Sequence, residues 1–201
     1  MIKWQIKDKL MTFDEDSHSY YVNDKKCISV TQLLKLKYPR KYANVDEKTL
    51  KVAADSGTEL HEAIQVFEEY GLDRDDLQEF RNYLFLKKRF KFEVLKCEVP
   101  ILLEYQDLVV CGRLDQVQKI GEQIGLGDIK RTATLDKEYL AYQLNIYRLG
   151  YQQCYDQKIE FLKGIHLKDD KRKYVDIPIN EKLTYELLDQ YLEKEKKGND
   201  K

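Results

Sequence analysis

One stretch in the middle of the chain limits the fold more than any other, because its pattern is that of an antiparallel β-hairpin. Apolar and polar residues alternate along residues 108–120 and again along residues 123–130. Between them, Gly121-Glu122 has the sequence form of a two-residue type II′ turn, in which glycine occupies the first central position. The pattern predicts two adjacent strands of one sheet.

The register of this hairpin brings acidic side chains together. If Ile120 pairs with Gln123, Asp115 faces Asp128 across the ladder. Lys130 then falls on the same face, because side chains alternate with a period of two. Like charges directly opposite each other cost roughly 0.2–1 kcal/mol when exposed, and more when they are buried. A bound cation would remove that penalty.

Other signals place helices and strands on either side of the hairpin. Ser29 and Gln32 match an S-x-x-Q capping box at a helix start, and Gly71 is well placed to end a long helix. We predict a single domain, residues 1–201, of the α/β (α+β) class, with a central mixed β-sheet flanked by α-helices. Its parts are an N-terminal hairpin and helix in 11–38, a core in about 46–179, a C-terminal helix in about 180–197 and a disordered tail in 198–201.

Within the core we predict helices and strands on both sides of the hairpin. They are a helix in 46–70 with a break near Ser56-Gly57, a helix in 75–92, a strand in 93–104, a helix from Thr134 or Asp136 to about 154, and strands in 160–167 and 173–179.

The charge balance argues against a nucleic-acid-binding protein. The chain has 201 residues, 42% of them hydrophobic, and a formal net charge of −1, whereas nucleic-acid-binding proteins often show a basic balance. Basic residues are concentrated at two places, residues 87–91 and residues 168–173. The first cluster lies beside the predicted core, and the second is interpreted as a solvated helix face or loop.

Cysteine usage and hydropathy indicate an intracellular protein. Cys27, Cys97, Cys111 and Cys154 are widely scattered, without a CxxC pair, so we expect free thiols rather than disulfides. The first ten residues contain no long apolar stretch, and no later run approaches the ~20 apolar residues that a membrane-spanning helix requires. We expect a soluble protein with no membrane partner.

Several polar residues have an ordinary structural explanation when each is considered alone. His61 lies at the edge of a helical apolar stripe, where histidine is more often a hydrogen-bonded structural residue than a ligand. Spacing alone assigns Tyr147 to the core and Gln143 to the surface. Glu98 is interpreted as a partner in a cross-strand salt bridge, with an outer-shell or second-metal carboxylate as the alternative. An acidic-x-Lys triplet such as Asp128-Ile129-Lys130 is weak evidence by itself, because the chain is 35% charged.

Four motifs that occur in a fixed order along the chain suggest a functional role for these residues. Asp115 followed by Asp128-Ile129-Lys130 resembles the core of the PD-(D/E)xK nucleases. Three further motifs are similar to those of the RecB-like branch of that superfamily, namely GxxxH in 57–61, GxxD in 112–115 and QxxxY in 143–147. From about residue 13 to residue 150, the chain also resembles phage-encoded, single-domain members of the branch.

The resemblance implies a restriction-endonuclease-like core with a divalent metal site. By resemblance, His61, Asp115, Asp128 and the backbone carbonyl of Ile129 bind Mg²⁺ or Mn²⁺. Magnesium favours oxygen ligands, whereas manganese tolerates an imidazole ligand better. Members that hold an iron–sulfur cluster use one early and three clustered late cysteines, whereas only one cysteine follows Asp128 here. We therefore expect no iron–sulfur cluster.

The same resemblance assigns roles in catalysis and in substrate binding. Asp115, Asp128 and Lys130 are the implied catalytic residues. Lys130 orients or helps to deprotonate the attacking water and stabilises negative charge in the transition state. Gln143 and Tyr147 position the DNA strand or brace the site.

The implied function is that of a metal-dependent DNA exonuclease in phage or prophage recombination or DNA processing. Its substrate would be single- or double-stranded DNA, with ends preferred, in the cytoplasm of a bacterium or of a phage-infected host. An endonuclease or flap nuclease of the same superfamily is one alternative, and a non-catalytic nucleic-acid-binding protein on this fold is another. A recombination partner protein, a homo-oligomer, strand polarity and the choice between DNA and RNA stay open.

Overall fold

A computed structural model describes residues 1–41 and 45–199, which form an α+β fold with helices on both faces of a large mixed β-sheet. None of the described helices combines the length and the apolar composition needed to cross a membrane. The described strands are β1 (Ile2–Ile6), β2 (Lys9–Asp14), β3 (Ser19–Val22), β4 (Lys25–Ser29), β5 (Glu93–Tyr105), β6 (Leu108–Ile120), β7 (Gln123–Lys130), β8 (Phe161–Lys168) and β9 (Lys171–Ile177). The described helices are α1 (Val30–Lys37), α2 (Glu47–Tyr70), α3 (Gln78–Phe90), α4 (Lys137–Tyr155) and α5 (Glu181–Asn199).

The sheet combines antiparallel and parallel pairs, as predicted. Its order is β1-β2-β3-β4-β6-β7-β8-β9, and β5 pairs with β6 outside this path. Strands β1 to β4 form an antiparallel meander. The β4–β6 and β7–β8 pairs are parallel, whereas β5–β6, β6–β7 and β8–β9 are antiparallel.

The predicted central hairpin is confirmed, but the predicted pairing of Asp115 with Asp128 is not part of its ladder, and Asp115 bonds to the N–H of Ile129 instead. Strands β6 and β7 pair in the predicted register from the turn to Gln116–Gly127. Gly121 has a φ of 59°, as a type II′ turn requires at its first central position. The regular ladder ends at Gln116–Gly127, one residue before Asp115 and Asp128.

The N-terminal region contains the predicted helix, and the predicted hairpin with its turn at Asn23-Asp24 is extended by two further strands, β1 and β2. Asn23 and Asp24 have φ values of 47° and 64° and form the tight turn between β3 and β4. Ser29 and Gln32 make both hydrogen bonds of the predicted capping box at the start of α1. Strand β1, which the sequence pattern does not predict, pairs with β2.

Helix α2 runs without interruption, so the predicted break near Ser56-Gly57 is wrong. The helix begins after the N-cap Asp46 and ends at Gly71, which has a φ of 71°. A glycine inside a helix costs only about 1 kcal/mol relative to alanine. The packing of the following turns against the core outweighs that cost.

Several other boundaries differ from the predicted ones, among them those of β9, which is predicted at 173–179 and runs from Lys171 to Ile177. Helix α3 starts at Gln78, three residues later than predicted, because Arg74 pairs with Asp76 in a turn that precedes the helix. Helix α5 includes residues 198 and 199, which the sequence assigns to a disordered tail. Residues 200 and 201 of that tail lie outside the described residues.

Each face of the sheet has its own hydrophobic core. On the α2 face, Leu60, Ala63 and Ile64 of α2 pack with Phe80 of α3 and Ile129 of β7. On the opposite face, called the α4 face, residues of α1, α4 and α5 pack against β5, β6 and β7. The two cores fix both helix layers relative to the strands that carry the acidic motif.

A chain of largely buried hydrogen bonds connects the α2 face to the centre of the sheet. Tyr83 Oη donates to Glu68 Oε1 over 2.5 Å and accepts from Gln116 Nε2 over 2.9 Å. Gln116 Oε1 accepts from Gln118 Nε2 over 2.7 Å, and Gln118 Oε1 accepts from Tyr174 Oη over 2.7 Å. Because these groups are shielded from water, each depends on its partner.

Tyr83→Phe should destabilise the fold, because it removes the hydroxyl that links Glu68 to Gln116. We expect the free energy of unfolding to fall by about 1–3 kcal/mol, as measured by urea denaturation. Tyr185→Phe is the matched control, since Tyr185 is 39% exposed, and its effect should stay below about 0.5 kcal/mol. Equal losses in the two variants would contradict a structural role for the buried chain.

Candidate metal centre

The site forms where one edge of β6 changes partners. Strand β5 pairs with β6 along nearly its whole length, so β4 and β7 must share the other edge. Strand β4 pairs there with residues 110–111, and β7 pairs only from Gln116 onwards. Within the described chain, residues 112–115 have no strand partner on this edge. Asp115 bridges the gap, because its Oδ2 accepts a 2.7 Å hydrogen bond from the backbone N–H of Ile129.

The side-chain alternation of β6 is interrupted at Asp115. Leu114 packs in the core of the α4 face, whereas Gln116 bonds to Tyr83 on the α2 face. Residues two apart in a regular strand share a face, so the strand is locally irregular. Opposite this point on β5, Glu98 has a φ of 49°. Positive φ is uncommon for residues other than glycine and often occurs at functional sites.

His61, Glu98 and Asp115 converge into a group that could hold a metal ion. His61 Nδ1 lies 3.7 Å from both Glu98 Oε1 and Asp115 Oδ1. One potential ligand atom from each residue lies within 4.8 Å of the others. The group opens into a cavity of about 710 Å³, called the His61 cavity. Imidazole and carboxylate together suit a divalent transition metal such as Mn²⁺.

The positive charge of protonated His61 compensates the negative charges of Glu98 and Asp115. Burial alone would lower the pKa of His61, but the carboxylates of Asp115 and Glu98 outweigh burial and raise that pKa to about 9. Arg113 Nε lies 2.6 Å from Glu98 Oε2. The cross-strand salt bridge predicted for Glu98 is therefore present, while its other oxygen faces His61. A metal ion at this position would compete with the imidazole proton.

Asp128 is buried, and the charges of Asp115 and His61 act on its carboxylate. Its Oδ2 forms an ion pair with Lys130 Nζ. Neither of its carboxylate oxygens accepts a well-oriented hydrogen bond from any described residue. Burial raises the pKa of Asp128 to about 6, with Lys130 opposing the shift and Asp115 adding to it. A buried carboxylate in this condition is costly, and a bound cation would satisfy it.

Lys130 and Ile129 connect Asp128 to the rest of the site. Burial alone would lower the pKa of Lys130, but the carboxylates of Asp128 and Asp115 outweigh burial and raise it. Lys130 therefore remains a cation next to two acidic groups. Ile129, predicted as a ligand through its carbonyl, donates its N–H to Asp115 and packs its side chain in the core of the α2 face.

Helix α4 forms the wall of the site that carries Gln143 and Tyr147. Both side chains are buried, so the surface position that spacing alone assigns to Gln143 is wrong. Gln143 Nε2 donates to Tyr147 Oη over 3.4 Å. The Tyr147 ring packs over Gly112, where a Cβ atom would lie 2.7 Å from Tyr147 Cε1. This close approach explains the glycine that precedes Asp115 by three residues, and it favours a bracing role for Tyr147.

The predicted site residues are close together, but their grouping differs from the one that the resemblance implies. His61 and Asp115 belong to the metal-binding group, whereas Asp128 does not lie within that group of three among the described residues. Glu98 takes its place. The sequence favours a salt bridge for Glu98, and the signal for its second role is its position opposite Asp115 in the β5–β6 register.

Comparisons with known proteins do not identify the chain. No protein-family model and no curated protein sequence matches it. A solved structure described as "Crystal structure of SSO0001" is similar, with 18% sequence identity and a TM-score of 0.48, covering 86% of this chain and 77% of that one. The functional assignment therefore depends on the site itself.

Divalent metal should stabilise the native protein through the group of His61, Glu98 and Asp115. A ligand that binds only the folded state stabilises it by mass action, by about 2.7 kcal/mol at a concentration of 100 Kd. We expect Mn²⁺ to raise the melting temperature of the wild type, and a chelator to reverse the rise. Asp115→Asn should lose most of this response.

Glu104→Gln is the matched control for Glu98→Gln in the same thermal melts. Both residues lie on β5, but Glu104 pairs with Lys9 away from the His61 cavity. Glu98→Gln should weaken the Mn²⁺ response and Glu104→Gln should leave it intact. If Asp115→Asn responded to Mn²⁺ as strongly as the wild type, Asp115 would not be a ligand.

Proposed function

We propose that this protein is a metal-dependent deoxyribonuclease with a PD-(D/E)xK core of the RecB-like type. The observation that carries the proposal is the buried carboxylate of Asp128, which accepts no well-oriented hydrogen bond from a described residue, forms an ion pair with Lys130 and lies close enough to Asp115 and His61 for their charges to act on its pKa. A structural carboxylate in such a position would be expected to have its oxygens satisfied. An ion-binding carboxylate has a reason to leave them open.

The proposed ligands are the side chains that surround this carboxylate. Asp115 and Asp128 offer oxygen atoms that suit Mg²⁺ or Mn²⁺, and His61 and Glu98 add an imidazole and a further oxygen on one side. A divalent ion held there would supply charge neutralisation at the scissile phosphate and activation of a water. Asp115 is fixed for this task by its hydrogen bond from Ile129.

Lys130 is proposed to act on the phosphate and the attacking water. Its ammonium is held by Asp128 at the edge of the acidic group. Hydrolysis forms a phosphorus–oxygen bond to the water and breaks the bond to the leaving deoxyribose oxygen, while the water loses a proton and the leaving oxygen gains one. Negative charge increases on the phosphate oxygens during this exchange, and a fixed cation stabilises it. Lys130 also orients the water by the same charge.

The proposal extends to the mode of action by resemblance. The four ordered motifs favour an exonuclease of phage or prophage recombination or DNA processing, and an endonuclease or flap nuclease is the alternative within the same chemistry. Gln143 and Tyr147 brace the Gly112 segment and hold Asp115 in place. Their burial makes this role more direct than a contact with DNA.

Lys130→Ala should reduce cleavage without removing metal or DNA binding. We expect the rate at saturating DNA and metal to fall by roughly 10²-fold or more, the scale typical of losing one electrostatic or acid–base group. End-labelled linear DNA with Mg²⁺ or Mn²⁺ measures the rate. Thermal melts and gel shifts measure binding separately.

Lys163→Ala is the matched control for this substitution. Lys163 lies on the neighbouring strand β8 and also forms an ion pair with an aspartate, Asp176, but outside the site. The Lys163→Ala variant should cleave DNA at the wild-type rate. Full activity of Lys130→Ala at saturating DNA and metal would remove Lys130 from catalysis. A wild type that cleaves no DNA substrate would instead favour a non-catalytic nucleic-acid-binding protein.

A further inference from the structure

Helix α3 carries aromatic side chains on the side that faces away from the core. Its buried side is formed by Phe80, Tyr83 and Leu86, which pack in the core of the α2 face. Phe85 and Phe90 lie elsewhere on the helix and are 41% and 38% exposed. An amphipathic helix normally keeps its apolar residues on the core side, so the packing of α3 does not account for these two rings.

Cationic side chains surround the two exposed rings. Lys88 and Arg89 are exposed in the last turn of α3. The guanidinium carbon of Arg172, on β9, lies 3.8 Å from the centre of the Phe85 ring, and that of Arg89 lies 5.8 Å from the centre of the Phe90 ring. We call these two rings and three cations the α3 surface.

The three cations of the α3 surface are not neutralised by neighbouring acids. None of them forms an ion pair with an acidic residue of the described chain, in contrast to Lys87, which pairs with Glu68. Arg172 instead donates to the neutral side-chain amide of Asn82 over 3.1 Å. The positive charge of the surface is therefore available to an external anion.

A stack of aromatic side chains holds Phe90 in place from behind. The centres of the Phe90 and Tyr174 rings lie 4.8 Å apart, and Tyr174 stacks on Phe92 at 5.0 Å with an interplanar angle of 7°. The Tyr174 hydroxyl donates to Gln118 in the buried hydrogen-bond chain. A surface that is fixed before binding loses little conformational freedom when a ligand arrives.

The α3 surface is separate from the candidate metal centre but not far from it. None of its residues is among the described residues that line the His61 cavity. In the sheet register, Lys130 lies opposite His166 of β8, and His166 lies opposite Lys173, which follows Arg172 on β9. Two strand spacings amount to about 10 Å. One extended ligand can therefore contact both places.

The combination of rings and unpaired cations fits a single strand of nucleic acid. Unpaired bases offer flat apolar faces that stack on aromatic rings and on guanidinium planes, while the phosphates between them attract cations. The bases of a duplex already stack on each other, so a duplex would use the cations alone. The exposed phenylalanines favour the single strand.

We propose that the α3 surface binds one strand of DNA outside the metal centre, with bases stacked on its two rings and phosphates paired with its three cations. The choice of DNA as the ligand rests on the proposed nuclease function. The inference adds a second place at which the protein holds its substrate. Binding at this open surface does not require a free strand end.

Binding in the presence of a chelator tests this surface without cleavage. The acidic residues of the metal centre repel phosphates when no metal is bound, so the affinity for a fluorescent oligothymidine reports other surfaces. The double variant Lys88→Glu/Arg89→Glu should raise Kd at least about tenfold. The slope of log K against log salt should become shallower by about 1.4, because each phosphate contact of a single strand contributes about 0.7.

The double variant Lys196→Glu/Lys197→Glu is the matched control. Like the pair in α3, these are consecutive exposed cations in the last turn of a helix. Helix α5 packs on the α4 face of the sheet, away from the α3 surface. The control should change Kd less than about twofold. Equal changes in the two double variants would overturn the assignment of the surface.

Phe85→Ala separates base stacking from attraction of the phosphates. It should raise Kd for oligothymidine about fivefold or more, and it should leave binding of an abasic strand of the same length unchanged. Tyr185→Ala, at a residue of α5 that is 39% exposed, should affect neither strand. Thermal melts check that both variants fold. An unchanged Kd for oligothymidine, or an equal loss on both strands, would overturn the stacking role.

The inference and the proposed function fail in different experiments. A wild type that binds oligothymidine through the α3 surface but cleaves no DNA with Mn²⁺ would contradict the nuclease function and leave the surface in place. A wild type that cleaves DNA but binds no oligothymidine in chelator would overturn the surface and leave the nuclease function in place. A duplex that competes as well as the single strand would overturn the choice of ligand.

Discussion

The whole site depends on a competition for one edge of β6. Strand β5 occupies the other edge, and β4 and β7 take opposite ends of the remaining one. Backbone groups removed from water need hydrogen-bond partners, and Asp115 meets part of this need by accepting from the N–H of Ile129. The side chain that completes the sheet is thus also the one placed beside His61 and Glu98. Asp115 therefore serves both the fold and the candidate metal centre.

The same arrangement concentrates the negative charges of Asp115 and Asp128 in a small volume. Asp128 is buried without well-oriented hydrogen bonds from the described chain, and its charge is opposed by Lys130, its ion-pair partner, and more weakly by His61. The buried hydrogen-bond chain through Tyr83 and Gln116 lies immediately beside it on the sheet. Well-satisfied polar groups next to unsatisfied ones indicate that the strain is local. It is confined to the candidate metal centre.

Sequence reasoning succeeds here where local chemistry decides the structure. The hairpin register follows from alternation and from Gly121, and the capping box follows from Ser29 and Gln32. Sequence reasoning fails where the pairing of distant strands decides the structure. The irregularity at Glu98 and Asp115 exists because β5 and β6 both depart from regular strand geometry at the same point. The alternation of residues within one strand does not indicate what its partner strand does. The continuity of α2 through Gly57 is likewise decided by packing that begins only at Leu60, so the weak glycine signal is misleading.

The position of β9 has a consequence for the behaviour of the protein at high concentration. Its outer edge has no strand partner among the described residues, and such an edge is a template for pairing between molecules. Lys171, Arg172 and Lys173, which the sequence suggests are a solvated helix face or loop, lie at the start of this strand and are exposed. Three consecutive cations there make the approach of a second copy electrostatically unfavourable. These three residues of the second basic cluster are thus explained by protection against aggregation.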